Sequence, residues 1–524
     1  RAMTAATEPL VVRDRAGARV VTPGYRALVV TAALLASLDG GAAVTIVNVA
    51  VPDIMGTFGV GQDQAQYLAT TFLATMTVGM LLTDWLVRAF GQRDVYLVSV
   101  AIFAAGCVIG GMAESFIVVV LGRCLQGIAS GVLMPMSMIT LFLVFRPEER
   151  QKAIGLVGLT FTFGPGVGPW LGGVAVDAFD WRFTFFIVLP VLFLSAVFAA
   201  IALPGRDDRQ PPRGFDWTGL ALVSVFMGTT LTGLSNGQMR GWDSDFVLGL
   251  LGTGALSLTA FVGWELIVPD PLLDIRIAMR RRFITAVVLT GMLGVMMFGT
   301  LYLLPIFLQL VQGFTPTHSG LVLLPGGLLL GVLVPLTGFY GHHVRSDWLV
   351  AIGFAISAVT IWLTGLFDAN VGFWTVLLVI VAMRVGNSVI FPPLTNQVFA
   401  DLKPHEIGAA NGALNFIRQA IGVFGLNLLA LFLEQRTALH ANAVAATQTE
   451  RNFATGELLD RVGTLLGGHG LDEVTQGAAA TWYLGRMMGT QAMAFAFRDT
   501  LFLLAGATVI ATLLALTLPP RRAR

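Results

Sequence analysis

The chain has 524 residues, of which 55% are hydrophobic and only 12% charged, and its formal net charge is +1. A soluble domain carries about 25% charged residues, so this chain lacks the polar surface to coat a water-soluble globule, and lipid is its expected solvent. The near-zero charge argues against nucleic acid as a partner; Cys107 and Cys124 both fall inside apolar runs, so no disulfide framework is expected.

Arg1-Ala2 ahead of Met3 reads as a tag remnant. The tail that follows, to residue 25, is polar and carries no cleavable signal, so the first helix would itself direct insertion. A helix needs about 20 apolar residues to cross a bilayer. Such runs predict fourteen spans, at 26–50, 65–87, 95–113, 117–144, 152–175, 183–203, 216–236, 246–268, 284–311, 317–339, 347–367, 372–398, 407–434 and 496–518. The runs are too long and continuous for barrel strands, which would alternate. Most of the 32 basic residues fall on one set of connections, among them Arg13, Arg15, Arg19, Arg88, Arg93, Arg206, Arg209, Arg213 and Arg280–Arg282. The positive-inside rule places that set, and both termini, in the cytoplasm. The one sizeable outward segment is 435–495, whose later half is apolar enough to lie on the membrane or extend the last helix.

Charge at mid-membrane is costly and usually functional. Asp39 lies about nine residues beyond the inner edge of the first span, near mid-depth by the helical rise. A carboxyl group there either carries protons or serves as a hydrogen-bond acceptor in a glycine-softened helix. Arg123, in the fourth span, stays charged and needs an acceptor; Asp39 is the expected one, with Gln126 one turn on sharing the network. Arg123 would then either tune proton release or lock two helices. In the twelfth and thirteenth spans Arg384 and Arg418 keep company with Asn387, Asn396, Gln397, Asn411, Asn415, Gln419 and Asn427. This set reads as a polar cavity wall or as interhelical hydrogen bonding. Phe72, Tyr302, Phe391 and Trp170 would add aromatic lining.

Residues 164–173, Gly-Pro-Gly-Val-Gly-Pro-Trp-Leu-Gly-Gly, lie inside the fifth span. Two prolines remove two helix hydrogen bonds and the glycines allow close backbone approach, which suits a helix that kinks and repacks on a partner. No Gly-Lys-Ser/Thr phosphate loop is present, and the six histidines form no metal-ligand pattern; His342-His343 reads as a solvated or gate-lining pair. No metal and no cofactor are therefore expected.

These features resemble the major facilitator superfamily, in particular its fourteen-helix drug:proton antiporters of the EmrB/QacA type. Gly164, Pro165, Gly168, Pro169, Gly172 and Gly173 match the antiporter motif; Leu121, Arg123, Gln126, Gly127 and Gly131 match the fourth-helix motif; Thr45 to Pro52, which includes Asn48, matches the end of the first-helix motif. Phe215 to Gly219 resembles the entry to two inserted helices, and Asn415 to Gln419 a thirteenth-helix signature. The chain departs from the pattern at three places. Ala43 stands where the family's first-helix Asp usually is, with Asp39 one turn earlier on the same face; Asp84 and Arg88 replace the usual Gly and Asp of the inner-gate loop, in which Gly91 and Arg93 are kept; Val188 stands where Asn is frequent.

The resemblance implies an all-α polytopic protein of the bacterial inner membrane. Its tail would be 1–25, its first six-helix bundle 26–203, a linker with two extra helices 204–270, and its second bundle 283–518. It further implies alternating access driven by the proton gradient, with Asp39 and Arg123 coupling protons and Asn48, Phe72, Tyr302, Asn387, Phe391, Asn415 and Arg418 meeting substrate. Arg88, Gly91 and Arg93 would form the cytoplasmic gate. The expected substrates are small amphipathic or hydrophobic drugs, with membrane lipids around the protein and a periplasmic adaptor and outer-membrane channel as possible associates. A lipid or fatty-acid translocator of the same fold is the alternative.

Overall fold

The computed structural model describes residues 11–14, 17–145, 150–205, 214–269, 271–273, 281–340, 345–368, 370–399, 407–448, 452–467 and 473–518. Apart from a short antiparallel hairpin in the polar tail, Val11–Asp14 against Gly17–Val20, the described regular structure is helical. Among the described residues thirteen helices are long and apolar enough to cross a membrane, and α7 (Arg150–Ala178) lies over the expected fifth span.

The first half contains α1 (Pro23–Thr45), the short α2 (Val51–Phe58) and α3 (Gln62–Ala65), then α4 (Tyr67–Phe90), α5 (Gln92–Gly111), α6 (Phe116–Val144), α7, the short α8 (Phe183–Phe186) and α9 (Leu189–Ala202). Local chemistry sets their ends. Thr22 caps α1, its hydroxyl accepting from the Tyr25 amide, and Pro23 opens the helix without wasting an amide. Gly91, at φ +91°, makes the abrupt reversal between α4 and α5 that a side chain would oppose.

The inserted pair is α10 (Trp217–Arg240) and α11 (Asp245–Glu265). Asp216 caps α10 by accepting from the Gly219 amide at 2.8 Å, and accepts from the Trp264 indole at 2.8 Å, which joins the start of one helix to the end of the other. The pair packs against α4 and, in the second half, against α16, through Val223, Met227, Phe261, Phe416 and Ala420. Two adjacent residues of α10 reach opposite halves: Asn236 donates to the Tyr67 hydroxyl of α4, and Ser235 accepts from Asn427 of α16.

The second half contains α12 (Arg281–Leu310), α13 (Pro316–Tyr340), α14 (Ser346–Gly365), α15 (Phe373–Phe399), α16 (Ile407–Ala446), α17 (Phe453–Gly467) and α18 (Glu473–Ala515). In the outward segment the later half extends the last helix, one of the two expected arrangements. Helix α16 continues to Ala446 and α18 begins at Glu473, so both extend past their spans and α17 packs on α18 between them. Asp499 of α18 holds the two extensions together, accepting from Arg436 and from His440 of α16. The two halves meet along α7 with α13 and along α4 with α16.

Candidate functional site

Lipid tails are as apolar as leucine, so helices in a membrane associate by close packing and hydrogen bonds. The glycines of residues 164–173 serve that packing on two sides of α7. A Cβ on Gly164 would lie 2.8 Å from the Leu38 carbonyl of α1, while one on Gly166 would lie 2.6 Å from Gly327 of α13. Gly172 faces Ile46, and Gly173 faces Pro316. Helix α7 runs continuously through both prolines, and its glycines let it seat between the two halves. Pro169 has no amide to offer the Pro165 carbonyl four residues earlier; the Thr45 hydroxyl of α1 supplies the missing donor at 3.1 Å.

Asp39 is 3% exposed and, among the described residues, has neither a cationic partner nor a hydrogen-bond donor; its Oδ2 is sealed. The expected pairing with Arg123 does not occur. Arg123, fully buried, donates instead to the carbonyls of Leu68 and Ala43, at 3.0 and 2.9 Å, and to Gln126 Oε1 at 3.0 Å. Phe72 lies 4.0 Å beneath the guanidinium, and Gln126 passes on to Cys107 Sγ. The physical reason is register: the guanidinium reaches α1 one turn beyond Asp39, at Ala43, the position where the resemblance expects a carboxylate. Backbone carbonyls take the place of that anion. Phe72 is thereby part of the Arg123 setting within the first bundle.

The end expected to face outward is closed by bonds between the halves. Asn48 Nδ2 donates to the Leu301 carbonyl at 3.2 Å, Gln62 to the Tyr302 hydroxyl at 2.9 Å, and Gln309 to the Val49 carbonyl at 2.8 Å. The Thr317 amide donates to Asp177 at 2.8 Å. Asn48 and Tyr302 thus fasten the two halves to each other. At the opposite end Arg88 pairs with Asp84 on its own helix at 2.8 Å, and the Arg93 amide bonds the Pro204 carbonyl at 3.0 Å. The altered gate residues therefore satisfy each other locally. The side chains of Asn396 and Asn411, and all of His342 and His343, lie outside the described residues.

In the second half, Arg418 donates to Asn415 at 2.7 Å and lies 5.0 Å from the Phe391 ring centre; Gln419 donates to Met76 Sδ across the halves. Asn387 accepts from Ser357 at 3.1 Å, a link between α14 and α15. A nearly shut cavity of about 30 Å³ lies where α7 meets α12, α13 and α15. Pro165, Gly166 and Pro169 wall one side; Met297, Leu301, Leu323 and Leu330 wall the other; Arg384 supplies the polar head. Sequence reasoning placed Arg384 in a polar wall without singling it out. The signal available was Gly326-Gly327 on α13: a Cβ on Gly326 would lie 2.9 Å from Arg384 Cγ, so the glycine admits the arginine stem.

The sequence model of the Major Facilitator Superfamily matches residues 33–426. The chain belongs to that superfamily. It is similar to the multidrug export protein EmrB of Haemophilus influenzae, 29% identical over 398 residues that cover 76% of this chain and 78% of that one. It is also similar to the fatty acid resistance protein FarB of Neisseria gonorrhoeae, 31% identical over 397 residues with the same coverage, 76% and 78%. Among solved structures, a bacterial homologue of the human lysosomal transporter Spinster, inward-facing and unoccupied, aligns over 94% of this chain and 97% of its own with a TM-score of 0.63 and 16% identity. The fold is that of the superfamily, and the protein is a multi-pass transporter of the bacterial inner membrane, with EmrB-type members among its relatives.

Proposed function

We propose that this protein is a proton-driven exporter of amphipathic and hydrophobic small molecules, working by alternating access between its two halves. EmrB and FarB, both named for export or resistance, support the direction of transport. The observation that carries proton coupling is Asp39: a carboxyl group buried in a membrane helix with no counter-ion among the described residues. An ion left so is unstable, whereas a neutral acid is tolerated. Losing the proton therefore demands water or a new partner, and either requires α1 to repack against its neighbours. Because α1 packs on α7 through Gly164 and Gly168, movement of α1 is passed to the interface with the second half. No cofactor enters this scheme; the membrane potential supplies about 2.3 kcal/mol per charge per 100 mV.

In this scheme the outward end opens by parting the Asn48, Gln62 and Gln309 bonds. The extended α16–α17–α18 segment is the surface we assign to a periplasmic adaptor that would pass substrate to an outer-membrane channel. A second reading, translocation of fatty acids or lipids, is favoured by the relative FarB.

The test is substrate-driven proton movement in proteoliposomes that hold the purified protein. Export of a hydrophobic dye should acidify or alkalinise the lumen in step with dye movement, and Asp39→Asn should abolish the proton signal. A full proton signal in Asp39→Asn removes Asp39 from the coupling mechanism; dye movement indifferent to the proton gradient overturns antiport.

A further inference from the structure

Among the described residues three arginines are buried in the membrane region, and they differ in what they meet. Arg123 donates to two carbonyls and Gln126 through Nε and Nη1, with Nη2 left over, and Arg418 has Asn415 and the Phe391 ring. Arg384 is 5% exposed and makes no hydrogen bond or ion pair with any described residue. A guanidinium does not give up its proton in a protein, so burial leaves it needing an anion. Among the described residues none is supplied, and the side chain lines the cavity between the halves.

The position of that cavity matters. Arg384 is at the middle of α15, Gly327 near the middle of α13 and Gly166 near the middle of α7. The guanidinium therefore sits at the bilayer midplane on the seam between the halves, where transporters of this architecture bind what they carry. Around it the wall is apolar: Met297, Leu301, Leu323 and Leu330. A small hydrated anion would gain nothing from those side chains, whereas an acid with an aliphatic body would satisfy both parts of the site at once.

We infer that Arg384 selects amphipathic carboxylates: the guanidinium fork grips the carboxylate head and the leucine and methionine wall takes the tail. This rests on the exporter reading above and names the substrate class of its central cavity. The cavity is nearly shut here, so binding of a full tail requires α7 and α13 to part, and Arg384 waits at the seam they would open.

The experiment uses the full chain in dodecyl maltoside, titrated with laurate, 1-dodecanol, dodecyltrimethylammonium and acetate, with binding read by calorimetry and thermal unfolding. Laurate should bind at least tenfold more tightly than the alcohol or the cation, and acetate should not bind. Arg384→Gln should erase the preference for laurate while leaving dodecanol unchanged, and Arg384→Lys should keep part of it. If Arg384→Gln does not fold, Leu330→Asp tests the same claim, because a carboxylate on the wall should occupy Arg384 and displace laurate about tenfold. Laurate binding undiminished in Arg384→Gln or in Leu330→Asp, equal binding of dodecyltrimethylammonium, or saturation by acetate alone overturns the assignment. Stabilisation by phosphatidylglycerol without any by laurate does so too, and points to a lipid instead.

Ethidium transport separates the two readings. Proton-coupled ethidium export without a laurate preference sinks this inference and leaves the exporter standing. Arg384-dependent laurate binding with no compound moved against its gradient keeps the site and sinks the exporter.

Discussion

The Thr45 hydroxyl of the first helix donates to the Pro165 carbonyl of α7, 3.1 Å away, at the position where Pro169 leaves that carbonyl without a helix donor. A carbonyl left unpaired in a membrane interior is costly, and a hydrogen bond between membrane helices is worth about 1 kcal/mol. Thr45→Val, which keeps the shape and removes the hydroxyl, should lower the melting temperature by a few degrees and slow transport. Thr45→Ser should restore both. Equal melting curves for Thr45→Val and the wild type would show that water or another donor serves Pro165.

Moving the carboxylate should move the coupling. Arg123 reaches the Ala43 carbonyl at 2.9 Å, one turn from Asp39. In the background Asp39→Asn, the second change Ala43→Asp sets an acid directly opposite a buried guanidinium, where the ion pair is short and shielded. We expect proton-coupled transport to return in the double variant, with a rise in melting temperature over Asp39→Asn alone. Return of stability without transport would show that the position of Asp39 itself is required.

The outward closure should be separable from the chemistry. Gln62 and Tyr302 join the two halves at that end. With Cys107 and Cys124 replaced by Ala, Gln62→Cys and Tyr302→Cys bridged by a short bismaleimide should arrest transport while leaving inward-side ligand binding intact. Tyr302→Phe, which removes one hydrogen bond worth about 1 kcal/mol, should shift the balance towards outward opening roughly fivefold. Thiol labelling of Asn48→Cys from outside measures that shift.

One pH effect is expected at the same end. Loss of hydration, and then the Asp177 and Asp180 carboxylates, hold the Asp53 carboxyl above its usual range. A carboxyl raised in the folded state favours folding below its unfolded pKa of about 4 and loses that contribution as pH rises through the folded value. Asp53→Asn should therefore raise the melting temperature above neutrality and leave it unchanged in acid. A gain of the same size at both ends of the pH range would refute the charge argument.

Hydropathy made the spans legible, because a helix must hide its backbone from lipid wherever it crosses. The chemistry of short motifs made the α6 network partly legible: Gln126 does share it with Arg123. What hydropathy does not encode is rotation and register. Asp39 and Arg123 occupy neighbouring helices, yet the guanidinium meets α1 one turn away from the carboxylate. Arg384 and Arg418 look alike in sequence, yet one finds Asn415 and the other faces the seam, because Gly326 opens a channel for its stem. In the outward segment the apolar later half was legible as an extension of the last helix, whereas the continuation of α16 was not, because it rests on Asp499 binding Arg436 and His440 across the pair.

The linking helix α10 grips one half with Asn236 and the other with Ser235, at consecutive positions. Any swing of one half against the other that preserves both grips must turn about that spot, as a door turns about its pin. The added pair thus does more than lengthen the chain: it fixes a fulcrum near the outward face, and a small displacement there becomes a wide excursion at the opposite mouth.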